Sequence, residues 1–231
     1  MTTAIHFWDR VAPKYARSPI RNMDAYEQTL ARTRSHLSRQ DRVLEIGCGT
    51  GSTALLLAKD VGEVVATDFS ATMIEIGEDK RSDQGIANVT FRQAPAVDSV
   101  FEPESFDAVL GFNLLHLLQD PSAAARRAHE LLKPGGMFIT KTTCLARSGW
   151  HLRAMIGVMR FVGYAPFVNF LSTEDLEDQI RDAGFEIVEV GDYPAKPPNH
   201  FVVARKASGA VYRTLRVSRI SAVRVRVRPR S

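Results

Sequence analysis

Cysteine is scarce in this chain. Cys48 and Cys144 are the two it has, too few for a disulfide scaffold and without metal-ligand spacing, so a reducing compartment and no bound metal are expected. The first residues, Met1-Thr2-Thr3-Ala4-Ile5-His6-Phe7-Trp8-Asp9, lack the basic patch and apolar run of a signal peptide, and a cytoplasmic location is expected. Acid is missing from the other end. From Arg205 to Ser231 there are nine basic residues and no Asp or Glu, which leaves 21 basic against 26 acidic groups in residues 1–204. The formal charge of +4 therefore describes a mildly acidic body with a basic tail. No uninterrupted membrane span is present either: the run from 149 to 171 has the length of one, but Arg153, Arg160 and Pro166 break it. At 231 residues and 45% hydrophobic content, the chain suits one domain around one good core.

What is present centres on residues 42–51, Arg-Val-Leu-Glu-Ile-Gly-Cys-Gly-Thr-Gly. Val43, Leu44 and Ile46 read as a buried strand interrupted only by Glu45; glycines follow at 47, 49 and 51, and Ser52 to Lys59 has helical composition. Glycine permits positive φ and carries no Cβ, so such a loop turns sharply and lets a flat, polar ligand lie against bare backbone at a helix start. The alternative is a plain tight turn. The spacing differs from the dinucleotide fingerprint G-x-G-x-x-G: here it is Glu45-x-Gly47-x-Gly49-x-Gly51. A second strand, Val64-Val65-Ala66-Thr67, ends in Asp68, 17 residues past the last glycine, where a carboxylate can accept hydrogen bonds from both hydroxyls of a ribose.

Together these residues resemble the class I S-adenosylmethionine-dependent methyltransferases. The resemblance covers roughly residues 5–205 and implies an α/β three-layer sandwich, Rossmann-like. Its seven-stranded, mostly parallel sheet has the order 3-2-1-4-5-7-6 with the last strand antiparallel. Phe7 to Tyr15 is similar to the opening segment of the methyltransferases of ubiquinone and menaquinone synthesis, where an aromatic residue closes over the cofactor; Tyr15 takes that role, unless these aromatics only pack a helix on the sheet. Glu45, Gly47, Cys48, Gly49, Gly51 and Asp68 hold the cofactor on this reading, while Phe69 and Met73 flank the adenine, with Met73 equally readable as core. Pro95 stands where the family usually has an aspartate for the adenine amino group, which leaves the Ala96 amide or Asp98 as substitutes. Phe112 and Asn113 follow the fourth strand, Ser105 to Gly111, and would touch the methionine part. Leu-Leu-Lys-Pro-Gly-Gly at 131–136 is a second specific likeness, ending one helix and turning into a fifth strand from Met137 to Thr140.

Methyl transfer from a sulfonium is an in-line displacement on an activated electrophile, so positioning supplies most of the rate gain. A base is needed only when the acceptor must lose a proton, which suits histidine; His116 and His151 are the candidates by position, with an exposed or structural histidine as the alternative. The expected organisation is a methyltransferase domain over 1–206, with an N-terminal helical cover at 4–38 and an inserted lid at 149–171. On the lid, Leu152, Met155, Ile156, Met159 and Val162 share one helical face. The last two strands, Phe185 to Val190 and His200 to Ala204, are expected to flank a turn at 192–198. The tail 207–231, with its Val-Arg alternation from Val223 to Arg228, is expected to stay solvated, weakly attracted to an anionic membrane surface or to RNA phosphates.

The expected acceptor is a small hydrophobic molecule: a quinone, phenol or lipid. Nucleic acid is disfavoured, because Phe112-Asn113-Leu114-Leu115 is not the Asn/Asp-Pro-Pro-aromatic stretch used on exocyclic amines and Cys144 lacks a preceding proline. An RNA or protein methyltransferase, a non-catalytic S-adenosylmethionine-binding protein and an NAD-binding oxidoreductase are the other readings. The sequence sets no oligomeric state.

Overall fold

Strands that are apolar on both faces must be covered on both faces, and the centre of this protein is built from three of them. β1 (Arg42–Ile46), β2 (Glu63–Asp68) and β4 (Phe106–Phe112) are almost continuously buried in a computed structural model that describes residues 2–97, 100–196 and 198–208. With β3 (Val89–Gln93), β5 (Leu132–Thr143), β6 (Phe185–Ala195) and β7 (Pro198–Lys206) they form one sheet in the order β3-β2-β1-β4-β5-β7-β6. Strands β1 to β5 pair in parallel, while β7 runs antiparallel to both β5 and β6. Order and strand directions are those the resemblance implied.

Helices cover both faces. On one side α5 (Pro121–Leu131) and α7 (Thr173–Asp182) bury Ala124, Ala128, Leu176 and Ile180 against Phe106, Phe138 and Val202. On the other, α2 (Met23–Arg34) and α3 (Ser52–Leu57) bury Leu30, Ala54 and Leu57 against Val43, Leu110 and Ile139. Side chains cap the helices where the sequence offers them: Asn22 accepts from the Ala25 amide, Asp120 from that of Ala123, and Ser172 forms a capping box with Asp175. The strand order reverses between β1 and β4, so the loops at their C-terminal ends diverge and leave a crevice.

Three elements differ from the sequence expectation. β5 begins at Leu132, which pairs with Phe106; the register then jumps to Met137 opposite Ala108. Lys133 to Gly136 is therefore a bulge within the strand rather than a turn before it. Gly135 there has φ +82, and a Cβ on Gly136 would lie 2.9 Å from the Asp107 carbonyl. β6 and β7 extend through the proline-rich stretch to a close connection where Ala195 pairs with Pro198. β6 is an edge strand, which tolerates proline, and Tyr193 packs on Phe201 with ring centroids 5.8 Å apart. The inserted helix α6 (Trp150–Phe161) forms, yet none of its residues is buried. Of the residues sharing one helical face, only Leu152 and Ile156 are partly covered, whereas Met155, Met159 and Val162 are exposed. Most of the basic tail, from residue 209, lies outside the described residues, as does Asp98.

Gly51 caps α3 at φ +72, and a Cβ there would sit 2.2 Å from Phe91 Cζ, a buried ring with no room to retreat. Gly51→Ala should cost about 2 kcal/mol or more, from left-handed strain plus overpacking, read as a lower midpoint in urea unfolding.

Candidate active site

The crevice is made from the ends of β1, β2 and β4 and closed on one side by α1 (Thr2–Arg17). After Ile46 the backbone turns through Gly47 at φ +64 and Gly49 at φ +54. A Cβ on Gly47 would meet Leu114 Cδ1 at 2.6 Å, so that glycine makes room for the loop after β4. At Gly49 the one atom near such a Cβ among the described residues is Tyr15 Cε1 at 3.7 Å, so this glycine presents bare backbone to the crevice beneath Tyr15. The loop is tied to β2 twice: the Cys48 amide donates to the Thr67 carbonyl at 2.9 Å and the Gly49 amide to Asp68 Oδ2 at 3.0 Å. The other oxygen, Oδ1, accepts from the Ser70 amide at 2.9 Å.

Ser70 passes the constraint to the cover. Its hydroxyl donates to Asp9 Oδ1 at 2.5 Å and accepts from the Met73 amide at 3.2 Å as N-cap of α4 (Ala71–Asp83). Asp9 therefore docks α1 at the start of α4, which turns Trp8 and Tyr15 to the crevice. Arg10, one residue on, donates to the Gly163 carbonyl and joins α1 to the segment after α6.

The electrostatics are one-sided. Glu45 is buried; its carboxyl is pushed up to about 8 by desolvation, against a hydrogen bond from the Ala54 backbone and with the help of nearby Asp68. Its Oε2 has no hydrogen-bond partner among the described residues. Asp68 is also raised by burial, opposed by the amides of Ser70 and Gly49. Tyr15 is 52% exposed as a residue yet lines the crevice, and its hydroxyl is raised by desolvation, then by Glu45 and Asp68. No Lys, Arg or His is among the lining residues. A buried, unpartnered carboxylate oxygen beside a second carboxylate, with no cation to neutralise them, fits a ligand that brings a positive charge and hydroxyl donors. S-adenosylmethionine has both: an ammonium, a sulfonium and a ribose diol.

Of the residues singled out in the sequence, Tyr15, Glu45, Gly47, Cys48, Gly49, Asp68, Met73, Phe112 and Asn113 line this crevice. Asn113 adopts φ +53, which asparagine tolerates better than most residues, and its amide donates to the Lys141 carbonyl at 2.7 Å. Gly51, Phe69 and Ala96 do not line it: Gly51 backs onto Phe91, and Ala96 packs against the core on the α5 side. The histidines separate. His116 adjoins Leu117, a lining residue, and burial pushes it down to about 4, with Nδ1 buried and without a hydrogen-bond partner among the described residues. His151 is exposed on α6, its ring tilted 33° against that of Trp150 with centroids 3.7 Å apart, and is not among the residues lining the crevice. Sequence reasoning left out Trp8, Thr53, Leu114 and Leu117 as lining residues. The position of Thr53, one residue into the helix after the glycine loop, was the available signal; it bonds the Tyr26 hydroxyl at 3.2 Å.

The Glu45 carboxyl gives the ligand-free protein a defined pH response. Its folded value of about 8 exceeds the ordinary 4.5, so the folded state favours the protonated form. Stability from this group is complete at low pH, falls as pH rises from 4.5 toward 8, and levels off above. Unfolding free energies of wild type and Glu45→Gln should diverge across that window by roughly 3 to 5 kcal/mol; parallel curves would contradict the assignment.

Comparison with known proteins agrees with this geometry. A family model described as a methyltransferase domain matches residues 43–136, from β1 to the bulge of β5. The demethylmenaquinone methyltransferase of Geobacillus kaustophilus (strain HTA426) is 30% identical over 185 residues, covering 69% of this chain and 77% of that protein. The ubiquinone biosynthesis O-methyltransferase of Azorhizobium caulinodans is 27% identical over 198 residues, covering 80% and 77%. Among solved structures, geranyl diphosphate C-methyltransferase from Streptomyces coelicolor A3(2), in complex with S-adenosyl-L-homocysteine, aligns with a TM-score of 0.67 at 14% identity over 79% of each chain. The cyclase SpnF aligns at 0.65 and 20% identity over 79% of this chain and 81% of its own. Likeness at that identity describes fold alone, and the cyclase is a reminder that this fold serves other reactions. The sequence relatives carry the assignment further: the chain belongs to the class I S-adenosylmethionine-dependent methyltransferases, of the type found in menaquinone and ubiquinone synthesis.

Proposed function

We propose that the crevice between β1, β2 and α1 is the S-adenosylmethionine site and that the methyl group passes to a small hydrophobic acceptor of quinone, phenol or lipid type. The single observation that carries the site reading is the unpartnered Oε2 of buried Glu45, which would receive the ligand's ammonium. Asp68 would hold the ribose diol with the lone pairs left free by Gly49 and Ser70. Met73 would pack on the adenine, Phe112 and Asn113 on the methionine part, and Tyr15 with Trp8 would close over the cofactor and exclude water. When bound, S-adenosylmethionine supplies a methyl group already activated by its sulfonium charge.

This chain's residues then have to orient an acceptor. His116, held neutral by burial, is offered as a hydrogen-bonding group for it; with a value near 4 it is a weak base for an ordinary phenol, whose pKa is about 10. Positioning, rather than deprotonation by the protein, is therefore the proposed source of rate. The acceptor class rests on two observations: the relatives named for menaquinone and ubiquinone methylation, and the apolar α6 segment next to the cover. The proposed domain is 1–206, with the cover at 4–38 and the insertion at 149–171. The tail 207–231 is proposed as a weak attachment to anionic membrane in a cytoplasmic protein. Among the described residues no helix is long and apolar enough to cross a membrane.

Asp68→Ala should weaken S-adenosylhomocysteine binding by about 2 to 3 kcal/mol, or about 30- to 150-fold, by removing a charge-assisted contact; unchanged affinity would make the ribose assignment wrong. Gly49→Val should block binding and also lower the midpoint of urea unfolding, since valine is strained at the left-handed φ of +54 even though its Cβ would meet Tyr15 at an ordinary 3.7 Å. In a radiolabelled methyl-transfer screen over quinone precursors, phenols, amino lipids and RNA, label should enter a quinone precursor or phenol. Label confined to RNA would overturn the acceptor class.

A further inference from the structure

Near the C-terminal end of β5 a lysine is buried without a counter-ion. Lys141 is 7% exposed and pairs with Phe112, the last residue of β4, on one side and with Phe201 of β7 on the other. Among the described residues it forms no ion pair, and its Nζ has one hydrogen bond, to Thr29 Oγ1 at 3.3 Å; that hydroxyl itself donates to the Ala25 carbonyl at 2.7 Å. The charged groups closest along α2 are engaged elsewhere, since Arg32 and, just past the helix, His36 both bond Glu189 of β6. Burial therefore pushes Lys141 below the ordinary 10.5 of a lysine, with nothing to oppose it. An ammonium held by one hydroxyl is as incomplete as the Glu45 carboxylate, and of opposite sign.

The two groups share a face of the sheet. Glu45 accepts from the Ala54 backbone of α3, and Lys141 reaches Thr29 of α2, the two helices that cover that side. Phe112, on the strand between them, packs on the same side and lines the crevice, while the Asn113 amide donates to the Lys141 carbonyl at 2.7 Å. Neighbouring strands lie about 4.8 Å apart, so a molecule resting against Phe112 is within reach of the lysine's flexible stem.

We propose that Lys141 is the acceptor-binding cation of this site, meeting an ionised hydroxyl, and that the acceptor is accordingly a phenol or enol that binds as its anion. The inference rests on the S-adenosylmethionine reading of the crevice and narrows the acceptor class. A neutral quinone offers no charge to answer the lysine, and an amino group would be repelled by it. A phenolate has already given its proton to bulk water, so no base is asked of His116, whose value near 4 suits it poorly to that task. The anion in turn favours the charged lysine. In the transfer, an electron pair of the phenolate forms the new bond to the methyl carbon as the carbon–sulfur bond breaks and leaves its pair on sulfur. The acceptor's negative charge and the sulfonium's positive charge disappear together, and attack through a ring carbon is completed by loss of its proton to water.

The test uses the full-length chain saturated with S-adenosylhomocysteine and the probe 4-nitrophenol, whose phenol and phenolate forms absorb at different wavelengths. Bound to wild type, the probe should ionise at a pH lower by about one unit or more than in free solution. K141M should fold, keep the wild-type affinity for S-adenosylhomocysteine and abolish that shift, and its kcat/KM for methyl transfer to phenols should fall about 100-fold or more. If K141M does not fold, K141Q takes its place, and the wild-type shift remains a test by itself. The proposal is overturned if the bound probe ionises as it does in solution, if either variant shifts it as wild type does, or if wild type binds S-adenosylhomocysteine but not the probe. Failure of wild type to bind S-adenosylhomocysteine would instead remove the cofactor reading beneath it.

Discussion

Two backbone amides converge on one carboxylate, and the geometry of the site depends on it. Asp68 accepts from Gly49 on one side and Ser70 on the other, so the glycine loop after β1, the end of β2 and the start of α4 are fixed by one buried acid. Burial alone disfavours its charge, as its raised pKa reflects, and the two amides oppose that cost. Through Ser70 the same constraint reaches Asp9 and holds α1 across the opening. A helix with an exposed, basic outer side is thereby kept where Trp8 and Tyr15 line the crevice.

The second feature is an imbalance the protein leaves uncorrected. Glu45 lies between buried Leu44 and Ile46 in β1, its Oε2 without a partner among the described residues and no cation among those lining the crevice. Buried acids normally have partners. In a stable fold, a lone acceptor of this kind beside Asp68 makes sense as half of an interaction completed by a cationic ligand. The same logic explains why the site needs so little of its side chains beyond shape: the reacting group carries its own activation, and the chain supplies placement and dryness.

The glycine loop, Asp68 and the sheet order were legible in sequence because each rests on local requirements: positive φ, close approach to backbone, and strands apolar on both faces. Long-range packing was not legible. Gly51 reads like a ligand-facing glycine, yet its neighbour is Phe91, brought in from β3. Leu114 and Leu117 look like ordinary apolar loop residues until the turn after β4 sets them on the crevice. The bulge at Lys133 to Gly136 depends on pairing with Phe106 and Ala108, which no local signal reports. For α6 the helical period was legible and what its apolar face meets was not, since period says that a face exists and nothing about its partner.

The central claim is that this crevice takes a cationic nucleoside whose charge answers Glu45 and whose sugar answers Asp68. Calorimetric titration of the intact protein with S-adenosylhomocysteine, and separately with NAD, tests it most directly. The account predicts saturable binding of the thioether at one site per chain and no heat from NAD; saturable NAD binding with none for S-adenosylhomocysteine would contradict it.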